Sequence, residues 1–240
     1  MKLDVLAIGA HPDDIELSVS GTLIKLVELG HRVGVVDMVR GELGSRGTPA
    51  IRAREAKASA KIMGLCVREN LRLKDGSIFD TPEARLRVVR VLRKYRPELV
   101  FTHYWDDRHP DHVYTSRIVA QACYLSGLAK INTKQERFRP GRIFYFMIPH
   151  TLQPSFYVDI SSQFEKKMQA VKAFRSQMFD PGSLEPQTYL SVSEFLPRLE
   201  SLNRYYGTLI HTKYAEAFYC KEAFSVDDPV NFFAGKGHSL

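Results

Sequence analysis

Asp4-Val5-Leu6-Ala7-Ile8-Gly9-Ala10-His11-Pro12-Asp13-Asp14 is the stretch that decides how the chain folds. Asp4–Gly9 is aliphatic, too short for a helix, and closed by glycine, so it predicts a buried strand. Pro12 biases His11 to an extended backbone. The strand therefore discharges His11, Asp13 and Asp14 together at its carboxyl end.

Working outward, Ser18–Leu29 has apolar residues at helical spacing (Leu23, Leu26, Val27) and stops at Gly30. Arg32–Val39 is β-branched and predicts a second buried strand. A Gly/Ser-rich loop, Gly41 to Pro49, ends in Thr48-Pro49, which is an N-cap followed by proline at the first helical position. Ala50–Met63 is then a helix ending at Gly64. Thr81-Pro82 repeats the start signal for a helix over Glu83–Tyr95, whose buried stripe is Val88, Val91, Leu92 and Tyr95. Leu99–Thr102 is a strand and Val113–Leu125 a helix.

This alternation predicts a Rossmann-like, doubly wound, mainly parallel α/β sheet with helices on both faces. Arg142–Ile148, Ser155–Ile160 and Tyr214–Cys220 predict extra C-terminal strands, the first two added antiparallel at the edge. Ser162–Arg175 and Val192–Tyr206 predict helices. No repeat or linker interrupts the chain, so residues 1–240 read as one domain, with a loosely ordered tail after Asp227.

In such sheets ligands sit outside the carboxyl ends of the strands. A second polar cluster, Asp106-Asp107-Arg108-His109-Pro110-Asp111-His112, follows Leu99–Thr102 and shares that edge with the first. Neutral imidazole and carboxylate are good ligands for zinc and similar ions. Either cluster alone is more often a plain loop; two of them on one edge predict a metal site. Asp107 is placed to orient a ligand, whereas His103 suits a packed, hydrogen-bonded residue as well as a site residue.

Composition narrows the alternatives. The 240 residues carry 34 Lys/Arg against 27 Asp/Glu, a formal +7, which could signal a polyanionic partner. Arg52 to Arg96 holds 13 basic and 5 acidic residues, leaving 21 against 22 elsewhere, so the excess is regional. No nucleic-acid-reading motif accompanies it, and a nucleic-acid-binding function ranks low. No apolar run approaches the ~20 residues of a membrane span, and the N-terminus lacks a signal-peptide pattern. Three cysteines, far apart, suit reduced thiols in a cytoplasmic protein. The spacing of Gly41, Gly44 and Gly47 fits no phosphate loop, and a Gly-x-Ser-x-Gly elbow is missing.

Ala10-His11-Pro12-Asp13-Asp14 and His109-Pro110-Asp111-His112 together resemble the motifs of the LmbE/PIG-L-like zinc-dependent N-acetylglucosaminyl deacetylases. Arg52-x-x-Glu55-Ala56, Ser176-Gln177 and Lys213–Phe218 carry the resemblance along nearly the whole chain. Val36-Asp37-Met38, Glu42–Thr48 and Phe156–Ser161 are most similar to the bacillithiol-biosynthesis subgroup, which deacetylates N-acetylglucosaminyl-malate. The resemblance implies one zinc, or another divalent ion, held by His11, Asp14 and His112. It implies Asp13 as general base, and His109, oriented by Asp111, as support for the oxyanion and leaving amine. Arg52 matches a substrate-contacting arginine.

Such an ion activates water and polarises an amide carbonyl, and amide hydrolysis needs both a base and a proton for the amine. The expected partner is a small anionic glucosaminide, with neither nucleic acid nor membrane involved, and a homo-oligomer is expected at family level. His103-Tyr104-Trp105 and Leu184–Val192 depart from the subgroup. They leave open a chitooligosaccharide, inositol or thiol conjugate as substrate.

Overall fold

Alternate residues of the first strand, β1 (Val5–Gly9), enter two different cores. Leu6 and Ile8 pack with Val36, Met38, Val88, Leu92 and Ile118, while Val5 and Ala7 pack with Leu23, Ile24, Val35 and Phe101. A strand buried on both faces reads as a continuous aliphatic run, as this one does. The remaining strands are β2 (Val33–Asp37), β3 (Val67–Asn70), β4 (Leu99–His103), β5 (Arg142–Phe146), β6 (Phe156–Asp159) and β7 (Ala215–Cys220). In the computed structural model, which describes residues 1–146, 154–223 and 225–233, they form one sheet ordered β3-β2-β1-β4-β5-β7-β6.

The first five strands in chain order run parallel, and β7 pairs antiparallel with both β5 and β6. β5 therefore continues the parallel sheet instead of lying antiparallel at its edge. The expected extension of β5 to Ile148 falls outside the described residues. Strand β3 is not legible as a strand because it reads Val67-Arg68-Glu69-Asn70; Arg68 is buried there through ion pairs with Glu16 and Asp37.

The helices are α1 (Asp14–Ser18), α2 (Ser20–Glu28), α3 (Pro49–Met63), α4 (Pro82–Tyr95), α5 (Pro110–Ser126), α6 (Phe164–Lys172), α7 (Phe195–Leu209) and α8 (Pro229–Phe233). Thr48 and Thr81 cap α3 and α4 by accepting from Ile51 N and Ala84 N, and proline opens both helices. The helix expected from Ser18 instead starts at Asp14 and breaks at Val19. Helix α8 lies within the stretch after Asp227; residues 234–240 are outside the described set. Among the described residues no helix is long and apolar enough to cross a membrane.

The regional basic excess is mostly a solvated face, with Arg54, Lys57, Lys61, Arg72, Lys74, Arg90 and Lys94 exposed, and a few of its members turn inward. Arg52 and Arg93 are buried, Arg68 is paired with carboxylates, and Arg93 donates to carbonyls of Ser126, Leu128 and Ile131. Arg85 and Lys94 are paired with Asp80 and Glu69.

β2 and β3 extend the sheet on one side of β1, and β4 begins the other side. The strand order thus reverses between β1 and β4, and a crevice opens there at their carboxyl ends. Both polar clusters leave the sheet at that crevice.

Candidate metal centre and pocket

His11 and Asp14 arrive on the turn from β1 into α1, and His112 on the first turn of α5. Their ligand atoms all lie within 4.8 Å of one another, and Asp14 and His112 are buried. Two imidazoles and a carboxylate in that compass suit a divalent ion with an open coordination position. The Asp14 carboxylate has neighbours on three sides. Its Oδ2 accepts from His11 N at 2.7 Å and lies 3.1 Å from His103 Nε2, while Oδ1 lies 3.4 Å from His112 Nε2.

Asp107 lies behind His112, with Oδ2 3.1 Å from Nδ1, which leaves Nε2 facing Asp14. His11 Nε2 faces two further carboxylates, Asp75 at 3.2 Å and Asp111 at 3.4 Å. Burial opposes charge on His11, but these carboxylates and Asp14 hold its pKa well above the usual 6.5. Burial likewise opposes charge on His112, yet Asp14 and Asp107 hold it up at about 9. Asp14 itself is driven well below the usual carboxylate range by His112 and His103, against the cost of its burial.

Asp13 stands apart from this donor set. Its backbone sits at φ 117°, a left-handed conformation that side chains rarely adopt and that marks a constrained position. The carboxylate is turned to Arg52, 3.0 Å from Nη2, and the same nitrogen donates to Pro12 O. Burial pushes the Asp13 carboxyl up to about 7, against the pull of Arg52. Gly41, at φ +71°, leaves room for that guanidinium; a Cβ there would fall 2.2 Å from Arg52 Nη1. Arg52 is thus a buried partner of Asp13, and it also lines the pocket that a substrate-contacting residue would face.

His109 takes an arrangement different from the expected one. The Asp111 carboxylate accepts from Gly76 N and Ile78 N and faces His11, while the Asp111 backbone N–H donates to His109 Nδ1 at 3.2 Å. Burial, with His112 and His11 nearby, holds His109 below its usual pKa. The ring is then neutral with its proton on Nε2, a tautomer set by the bond at Nδ1.

Two residues of the site are not assigned to it by the sequence. His103 is buried, stacks on His112 at 4.1 Å and accepts from Ala10 N. Asp75 lies in a Lys-Asp-Gly turn with no motif around it, and only the placement of β3 brings it to His11. Glu55 accepts from Ser176 N and Oγ, a structural contact.

The cluster forms the floor of a pocket of about 780 Å³. Leu43, Gly44 and Ser45 line one wall, and Thr188, Tyr189 and Leu190 another. The α7 face, including Phe195 and Leu199, extends the pocket outward together with Arg198. Arg108 also lines it, 4.6 Å above the Tyr189 ring.

A doubly wound sheet with a His/Asp donor set and a separate buried carboxylate at its switch point defines the class, an α/β protein with a candidate metal centre suited to hydrolysis. Residues 6–123 match the family described as PIG-L: GlcNAc-PI de-N-acetylase. The diacetylchitobiose deacetylase of Thermococcus kodakarensis is 30% identical over 88% of this chain and 80% of that protein. A probable N-acetyl-alpha-D-glucosaminyl L-malate deacetylase 2 of Bacillus anthracis is 29% identical over 72% of this chain and 80% of its own. Among solved structures, a conserved protein of Thermus thermophilus is 37% identical with a TM-score of 0.85, covering 94% of this chain and 98% of its own. The N,N'-diacetylchitobiose deacetylase of Pyrococcus horikoshii is 27% identical, TM-score 0.80, over 90% and 82%. The chain belongs to the PIG-L family of N-acetylglucosaminyl deacetylases.

Proposed function

We propose that the chain removes acetate from N-acetylglucosaminyl-malate, with zinc as its ion, giving glucosaminyl-malate for bacillithiol biosynthesis. The observation that carries the anionic aglycone is the pair of arginines on the outer pocket. Arg52 is committed to Asp13, while Arg108 and Arg198 line the same pocket. Arginine is the side chain best suited to carboxylate recognition. Of the two curated relatives described above, one is named for a chitobiose and the other for a malate conjugate, so charge on the aglycone is the chemistry that separates these two readings.

In this reading His11, Asp14 and His112 hold the ion, which when bound polarises the acetamide carbonyl and acidifies water. Asp13, titrating at about 7 and outside the donor set, takes the proton from the attacking water. Arg52 holds that carboxylate in place. His109 Nε2–H donates to the oxygen that gains charge as the carbonyl is attacked. The proton carried by Asp13 is then available to the departing amine, so the reaction yields amine and acetate.

The test is acetate release from a substrate panel by protein of measured metal content. Preference for the malate conjugate over diacetylchitobiose by about tenfold or more in kcat/KM, the scale of one charged contact, supports the reading. Preference for the neutral chito-sugar overturns the malate assignment and leaves the deacetylase in place.

A further inference from the structure

The segment from Met178 to Glu194 contains neither helix nor strand, yet Thr188, Tyr189 and Leu190 from it form a wall of the pocket. It has little core of its own: Phe179, Leu184 and Tyr189 are exposed. Its internal hydrogen bonds are local, such as Gly182 N to Asp180 and Thr188 N to Ser191 Oγ. Among the described residues, every hydrogen bond tying 179–187 to another part of the chain ends on Arg46 or Gly47.

Arg46 is buried, and all three of its guanidinium nitrogens are engaged. Nε donates to Ser176 O at 3.0 Å, Nη1 to the carbonyls of Glu185 and Pro186 at 3.3 Å each, and Nη2 to Ser183 Oγ at 3.1 Å. Gly47 N donates to Glu185 Oε1 at 2.9 Å, and Gln177 Nε2 returns a bond to Arg46 O. The backbones approach closely enough that a Cβ on Gly47, itself at φ +68°, would sit 2.6 Å from Ser176 Oγ. Arg46 belongs to the loop whose Leu43, Gly44 and Ser45 also line the pocket. One side chain therefore joins two segments of the pocket lining.

We propose that Arg46 is a positioning residue for substrate selection, holding the 183–187 stretch so that Thr188, Tyr189 and Leu190 after it enclose the group attached to the sugar. Lysine cannot replace it, because only a planar guanidinium reaches four acceptors in different directions. Without the clamp the wall gives way while the metal donors and Asp13, held by β1, α1 and α5, keep their places. The cost then falls on substrate binding and not on the chemical step. The inference rests on the reading that this pocket takes a glucosaminide.

Metal-loaded Arg46→Ala is compared with the unaltered protein by hydrogen exchange and by steady-state kinetics. Exchange over 179–191 is expected to rise about tenfold or more with β1 protection retained, the signature of local and not global opening. KM for the glucosaminide is expected to rise about tenfold, the scale of losing charged hydrogen bonds, with kcat changed far less. Added guanidinium ion should lower KM again, and Arg46→Lys should behave like Arg46→Ala. Glu185→Ala, a half-exposed substitution, should shift both readouts in the same direction by less. Unchanged exchange over 179–191, or a loss carried by kcat at constant KM, overturns the proposal. If the unaltered protein turns over no glucosaminide, the functional reading fails, and the exchange arm still decides whether Arg46 holds the wall.

Discussion

Arg52 and Asp13 form a 3.0 Å ion pair from which solvent is almost excluded, with side-chain exposures of 5% and 6%. The pair joins the first turn of α3 to the turn after β1. It keeps a carboxylate that burial pushes up to about 7 next to the metal donors without making it one of them. In the proposed mechanism, that separation lets a single Pro-Asp-Asp turn supply both a ligand and a base.

Asp13→Asn keeps the shape of the side chain and removes its basicity. Turnover is expected to fall about 10²–10⁴-fold, the usual worth of a general base. Metal content should stay at the level of the unaltered protein, since Asp13 lies outside the donor set. Full activity in the variant, measured as acetate release, would take Asp13 out of the proton-transfer role.

Arg52→Gln removes the positive charge that lowers the Asp13 pKa. The carboxyl should then titrate at higher pH, so less of it is ionised at neutrality. Activity at pH 7 is expected to fall about tenfold or more, recovering partly as pH rises. A pH–rate profile of kcat/KM reads this directly. A uniform loss at every pH would point to misplaced geometry and not to charge.

Metal loading should depend on pH in a definite direction. In the metal-free protein His11 is held well above 6.5 and His112 at about 9, so protons occupy both rings at neutral pH. For folding, the raised His112 value stabilises the metal-free protein fully below about 6.5, and its contribution is lost as pH rises through about 9; His11 acts in the same direction. For the ion, the same protons are competitors, so affinity climbs between these limits and levels off above them. Chelator competition at several pH values, with proton release followed in parallel, measures both. Release of about two protons per ion near pH 7 is expected; pH-independent affinity with no release would refute the assignment of these rings as ligands.

The sequence discloses those parts of the fold whose local chemistry agrees with their final environment. Thr48-Pro49 and Thr81-Pro82 announce helix starts because the cap and the proline act within one turn. β1 is legible because both of its faces are apolar. β3 is not, since Arg68 is buried by Glu16 and Asp37, partners 52 and 31 residues away. Asp75 escapes notice for the same reason: its place beside His11 depends on β3 pairing with β2. His11, Asp14 and His112 are legible because two short motifs carry them, and a sheet edge brings the motifs together. The Arg52–Asp13 and Asp111–His11 contacts depend on side-chain direction, which spacing along the chain does not specify.

Lys167 and Glu216 offer a test of how the metal turn is supported from below. Both are sealed from solvent, and Lys167 Nζ lies 2.6 Å from Glu216 Oε1. The lysine also donates to Leu17 O and to Ser18 O at the end of α1, while the Glu216 carboxylate accepts from Gly21 N and Thr22 N at the start of α2. The ion pair therefore caps both helix ends across the break at Val19, and α1 begins with Asp14. Lys167→Met leaves a buried carboxylate without its cation, which costs about 3–5 kcal/mol. For a chain of this size that lowers Tm by roughly 10 °C. Lys167→Met combined with Glu216→Gln removes the stranded charge and should recover part of the loss, because the amide oxygen can still accept from one backbone N–H. Calorimetry of the single and double variants decides. A double variant less stable than the single would show that the pair acts through packing, whereas recovery with weakened metal affinity ties it to the placement of Asp14.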